Sequence, residues 1–71
     1  MKNKLKLRRV ELGLIQLKAA KKAGIGASRL SYIENELAEP TVEEIAALAK
    51  ALKTTPAEIF PGLAEQHAEV R

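Results

Sequence analysis

Apolar residues recur along most of the chain at three- and four-residue spacing, in short bursts broken by Gly or Pro, which is the pattern of helices. Leu5, Arg9 and Leu12 share one side, so the spacing predicts a first helix over Lys2 to Leu12. Gly13 ends it, because glycine readily takes the left-handed backbone that a helix C-terminus wants. A second helix is predicted over Gln16 to Ala23, with Ala19, Ala20 and Ala23 turned inward, and Gly24 stops it. After Gly24-Ile25-Gly26 a third runs from Ala27 to Asn35 and buries Leu30 and Ile33. Pro40 marks the next break. Thr41 with Glu44 three residues on forms a capping box, opening a fourth helix whose expected inner face is Val42, Ile45, Ala46, Ala49 and Leu52. Thr55 followed by Pro56 starts a short last helix, and Ile59 and Phe60 close the core before Pro61-Gly62. Leu63 to Arg71 has helix-forming composition without a clear apolar face and reads as a frayed or weakly helical tail. The reading is all-α: a compact five-helix domain over residues 1–62, then a tail over 63–71.

Composition narrows this picture. A chain of 71 residues makes one domain with one small core. Aromatic residues are 3% of it, so that core is aliphatic. Cysteine is absent, which removes disulfides and thiolate metal sites and suits the cytoplasm. No apolar run approaches the roughly 18 residues of a membrane span. His67 is the single histidine and has no companion ligands nearby, so no metal site and no cofactor is expected. The net charge of +3 hides a division. Met1 to Asn35 holds nine basic residues against Glu11 and Glu34, and Glu36 to Arg71 holds three against seven Glu. One end attracts polyanions and the other repels them, a field that both holds and orients a protein on a phosphate backbone. Uneven solvated charge is also common in small proteins, so the division alone decides nothing.

The second and third helices, joined by about three residues containing Gly, form the sequence signature of a helix-turn-helix. The later helix of such a pair fits the DNA major groove, which admits one α-helix. Its outward positions here are Ala27, Ser28, Ser31 and Tyr32, with Arg29 beside them, and Glu34 comes only at the far end. Gln16 opens the preceding helix, where backbone N–H groups are available to a phosphate.

At these residues the sequence resembles the Cro and phage-repressor (XRE-like) helix-turn-helix family. The likeness rests on Gly13-Leu14-Ile15-Gln16, Ala20, Gly24, Leu30, Ile33-Glu34-Asn35, Pro40-Thr41 and the helix of Ile45, Leu48, Ala49 and Leu52. It covers about Leu5 to Phe60. The resemblance implies a compact lambda-repressor-like domain that binds operator DNA, commonly as a homodimer. It implies base-edge positions for Ala27, Ser28 and Tyr32, and sugar-phosphate contacts for Gln16, Arg29 and Asn35. It also implies an ion pair between Arg9 and Glu34, which suits a charge on an otherwise apolar helix face. Four features depart from the family pattern. Ile15 stands where Ser or Thr usually caps the second helix, Leu17 where a polar residue is usual, and Ala19 where Leu is usual. The loop Glu36-Leu37-Ala38-Glu39 is acidic and apolar where DNA-binding relatives often carry Gly and basic residues.

The expected function is sequence-specific binding of double-stranded DNA by a cytoplasmic repressor-type regulator. The alternative is a protein-interaction module on the same scaffold, such as an antitoxin or partner-binding regulator that uses its acidic half. Tyr32 stays open between reading a base and packing on the flank of the first helix. An enzyme is not expected, because the chain has no Cys, no central His and no Gly-rich phosphate loop, and its core is too small for a pocket.

Overall fold

The structure, a computed structural model, describes residues 3–62. The expected tail over 63–71 and the expected helix start at Lys2 lie outside the described residues. Among the described residues five helices follow one another: α1 (Leu5–Glu11), α2 (Gln16–Ala23), α3 (Ala27–Glu34), α4 (Val42–Ala51) and α5 (Pro56–Ile59). Gly13 at φ 71° and Gly24 at φ 75° turn the chain out of α1 and α2 through the left-handed region, where a side chain would be strained.

α1 begins later than its sequence pattern predicts, because the backbone before it is engaged elsewhere. The Lys4 N–H donates to the Ile59 carbonyl at 2.8 Å, which ties the start of the chain to the end of α5. Asn3 accepts from the Leu5 N–H at 3.0 Å and donates through Nδ2 to the Ile33 carbonyl at 2.9 Å. Its N–H and Nδ2 both reach Glu36 Oε2 at 2.6 Å. That clasp accounts for Glu36 holding a left-handed φ of 62° in a position suited to glycine.

The core consists of Leu5, Ala19, Ala20, Leu30, Ile33, Ile45, Leu48, Ala49, Leu52, Ile59 and Phe60. Ala19 and Ala20 give α2 a smooth inner face, and α2 packs against both α3 and α4. Small side chains at that centre let three helices meet with their larger residues packed around them. Leu17 points out to solvent, so Ala19 takes the buried place that its family's usual Leu would hold.

The inner face of α4 differs from the expected one. Ile45, Leu48, Ala49 and Leu52 are buried, whereas Val42 is 67% exposed and Ala46 is exposed. At 3.6 residues per turn Ala46 lies about 100° round the helix from Ile45, off the stripe that Leu48 and Leu52 complete. Val42 is the first residue of the helix, beyond the edge of the core. The capping box forms as expected: the Glu44 N–H donates to Thr41 Oγ1 at 3.1 Å, and the Thr41 N–H donates to Glu44 Oε1 at 2.8 Å. At the other end Arg8 donates to the carbonyls of Leu52 (2.9 Å) and Lys53 (3.0 Å), placing a cation on carbonyls that have no helical partner.

Leu48→Ala is expected to lower stability by about 2–5 kcal/mol, and Val42→Ala by no more than about 0.5 kcal/mol. Urea unfolding of the two variants measures both. Equal losses would mean that α4 is rotated from the face described.

Candidate nucleic-acid interface

The turn between α2 and α3 sets the geometry. Gly24 donates its N–H to the Lys21 carbonyl at 3.1 Å and Ile25 donates to Ala20 at 3.0 Å, which closes α2. Ile25 packs its side chain against the core. The extended Gly26 then opens α3, and the Leu30 N–H donates back to the Gly26 carbonyl at 3.0 Å. The turn is thus set by one apolar peg and three backbone hydrogen bonds.

α3 buries Leu30 and Ile33 and turns Ser28 and Tyr32 outward. The two lie four residues apart and so share one face of the helix. Tyr32 is 54% exposed, which puts it on the outer surface. Ala27 is half-buried at the rim of the core. Asn35 is exposed just past the helix end, and its Nδ2 donates to the Ser31 carbonyl at 2.8 Å. Beside this face stands the start of α2. Ile15 supplies no side-chain cap there, so the N–H groups of the first turn keep their partial positive charge towards solvent.

One carboxylate ties these parts together. Arg9 Nε donates to Glu34 Oε2 at 2.7 Å and Arg9 NH2 to Glu34 Oε1 at 3.3 Å. Gln16 Nε2 donates to the same Oε1 at 3.0 Å, and Arg9 NH1 reaches the Leu14 carbonyl at 2.7 Å. The last residue of α3 is thus fastened to α1, to the loop before α2 and to the first residue of α2. The Glu34 side chain is 1% exposed, and a carboxylate buried so deeply requires such company. The Gln16 amide, expected at a phosphate, gives its Nε2 to this clasp.

Arg29 is differently engaged from its expected role. Its Nε and NH2 donate to the two oxygens of Glu44, each at 2.8 Å, and NH2 also reaches the Glu39 carbonyl at 2.9 Å. The hydrogen bonds from Arg29 hold the Glu44 carboxyl down at about 2, assisted by the Thr41 N–H and opposed by partial burial. The same hydrogen bonds hold the Arg29 guanidinium still more firmly protonated. This second clasp joins α3 to α4. The sequence pattern gave no sign of it, since the capping box already accounted for Glu44.

Comparison with known proteins fits this geometry. The helix-turn-helix family model matches residues 5–59, and the chain belongs to that family. Among solved structures it is similar to the DNA-binding domain of the phage P22 c2 repressor in solution. That likeness has 33% identity and a TM-score of 0.71, and covers 73% of this chain and 68% of that one. It is also similar to the P22 c2 repressor crystallised with a synthetic operator. There the identity is 32% and the TM-score 0.72, covering 75% of this chain and 80% of that one. No curated protein gives a significant match in sequence.

The low value at Glu44 carries a pH consequence. Its folded-state pKa lies below the ordinary carboxylate value of 4.5, so the clasp contributes its full stability above that value. The contribution is lost as pH falls from about 4.5 through about 2. Unfolding of the native chain is expected to become easier across that window, and Glu44→Gln is expected to flatten the dependence. An unchanged slope in the variant would remove Glu44 from the acid response.

Proposed function

We propose that this chain is a repressor-type regulator that binds double-stranded DNA in a sequence-dependent way, with α3 in the major groove. The observation that carries the reading is the face of α3. Ser28 and Tyr32 stand outward on a helix clasped at both ends, beside the uncapped start of α2. Ser28 and Tyr32 read base edges, through hydroxyl hydrogen bonds and through ring contact with a thymine methyl. Ala27 offers only its methyl, at the rim of that face.

The start of α2 meets a phosphate with its backbone N–H groups, oriented by the Gln16 side chain that the clasp fixes. Asn35 adds a sugar-phosphate contact by donating through Nδ2, whose second hydrogen is held only by the long 3.4 Å contact to Ser31 Oγ. Arg29 acts as a strut between α3 and α4, because Glu44 already neutralises its charge. Lys18 and Lys21, exposed on α2, supply the field that steers approach.

The P22 c2 repressor was crystallised with a synthetic operator, and the likeness supports the same class of partner here. A homodimer on a near-palindromic operator would set its two recognition helices about 34 Å apart. A cytoplasmic location and the absence of enzymatic activity go with this reading. Among the described residues no helix is long and apolar enough to cross a membrane.

Selection from a random duplex library tests it. The native chain is expected to recover a defined site, and Tyr32→Ala and Ser28→Ala to change the ranking of bases within it. Arg29→Ala is expected to weaken every duplex while leaving the salt slope unchanged. A lost phosphate contact would instead reduce that slope by about 0.9. Recovery of no preferred sequence would overturn the reading.

A further inference from the structure

A shallow depression of about 420 Å³ lies at the C-terminal ends of α2 and α4, floored by Ala47 and Ala51 and ringed by Lys22, Lys50 and Lys53. We propose that it docks an acidic segment of a partner protein, with one aliphatic side chain on the alanine floor and flanking carboxylates against the three ammonium groups. Four features of the site carry this assignment, and the last of them rests on the proposed function.

The first is charge. Arg8, Arg9 and Arg29 each have a carboxylate partner within the fold. Lys22, Lys50 and Lys53 have none among the described residues, and all three are exposed. Two of them have a local explanation, because Lys22 and Lys50 lie in the last turns of α2 and α4 and complement the helix dipoles.

Lys53 has no such explanation, and this is the second feature. It lies beyond α4 with φ at 54°, in the left-handed region where glycine is unstrained. Its backbone is fixed there: the Lys53 N–H donates to Lys50 at 3.2 Å, and Arg8 donates to the Lys53 carbonyl at 3.0 Å. The chain thus keeps an ammonium on a rigid mount where local stability favours glycine. Such a conflict between local preference and sequence marks functional positions.

The third feature is shape. Ala47 and Ala51 are half-buried and form a concave apolar floor. A sugar-phosphate backbone has only the small methylenes of its sugars to set there, whereas a peptide with Leu or Val between acidic residues has a full aliphatic side chain. The fourth is position. Lys22 follows Gln16 by six residues, about 9 Å along the axis of α2. The site therefore sits towards the other end of that helix from the proposed duplex contact.

The test is a titration of the full isotope-labelled chain with the peptide acetyl-Glu-Glu-Leu-Glu-Glu-amide, followed by amide chemical shifts. Saturable shifts concentrated at Lys22, Ala47, Lys50, Ala51 and Lys53 are expected. Lys53→Gly keeps the fold, since glycine accepts that backbone, and is expected to weaken the peptide about threefold, the scale of one exposed ion pair. Lys21→Gln, outside the depression, is expected to leave the affinity unchanged. Shifts spread equally over Lys4, Lys6 and Lys18 would overturn the proposal in favour of general charge attraction. Equal binding of the peptide with Gly in place of Leu would also overturn it. So would the same shifts arising on concentrating the protein alone, which would give the depression to a second copy. A short duplex moving these five amides more than those of α3 would give it to DNA.

Discussion

The carboxylate of Glu34 is the constraint on which the recognition geometry depends. It is buried at the end of α3, where an ion without partners would cost several kcal/mol. Arg9 and Gln16 supply those partners, and Arg9 extends a further hydrogen bond to the Leu14 carbonyl. Four segments of the chain therefore share one electrostatic node: α1, the loop before α2, the first turn of α2 and the last turn of α3. An apolar contact at the same place would hold the elements together equally well. It would not fix the direction in which Gln16 and the outward face of α3 point, because dispersion is non-directional and hydrogen bonds are not.

The second clasp, Arg29 with Glu44, acts nearer the start of the same helix. α3 has only eight residues, and an isolated helix of that length is unstable in water. Burial of Leu30 and Ile33 holds one side of it, and the two clasps hold its ends to α1, α2 and α4. Its outward side then needs no long residues for its own stability. Ser28 and Tyr32 are thereby left open to solvent. The charges that look from sequence like a diffuse basic surface divide into two kinds. Arg8, Arg9 and Arg29 hold the fold together, while the described lysines remain outside as a field.

Much of this was legible in the sequence because it is local. Gly13 and Gly24 end helices, Thr41 with Glu44 starts one, and the inward alanines of α2 follow from three- and four-residue spacing. The meeting of Arg9 with Glu34 was legible too, as a lone cation on an apolar face together with the family resemblance. The role of Arg29 was not. Its partner lies fifteen residues on, and Glu44 had a sufficient local reason to be where it is, so nothing in the spacing asked for a second one. The start of α1 was misplaced for a related reason. Helical spacing runs back to Lys2, but Ile59, Ile33 and Glu36 compete for the backbone and side chain of Asn3 and for the Lys4 N–H, and no local pattern records that competition. Val42 and Ala46 look inward by residue type, although the turn of the helix sets the core stripe through Leu48.

The most direct measurement is a crystal structure of the chain bound to a duplex recovered by selection. The account predicts Glu34 still held by Arg9 and Gln16, α3 lying in the major groove, and Ser28 and Tyr32 against base edges. A duplex seated on another surface, with Ser28 and Tyr32 in solvent, would contradict it. So would a complex in which Glu34 has left Arg9 and α3 has changed its angle.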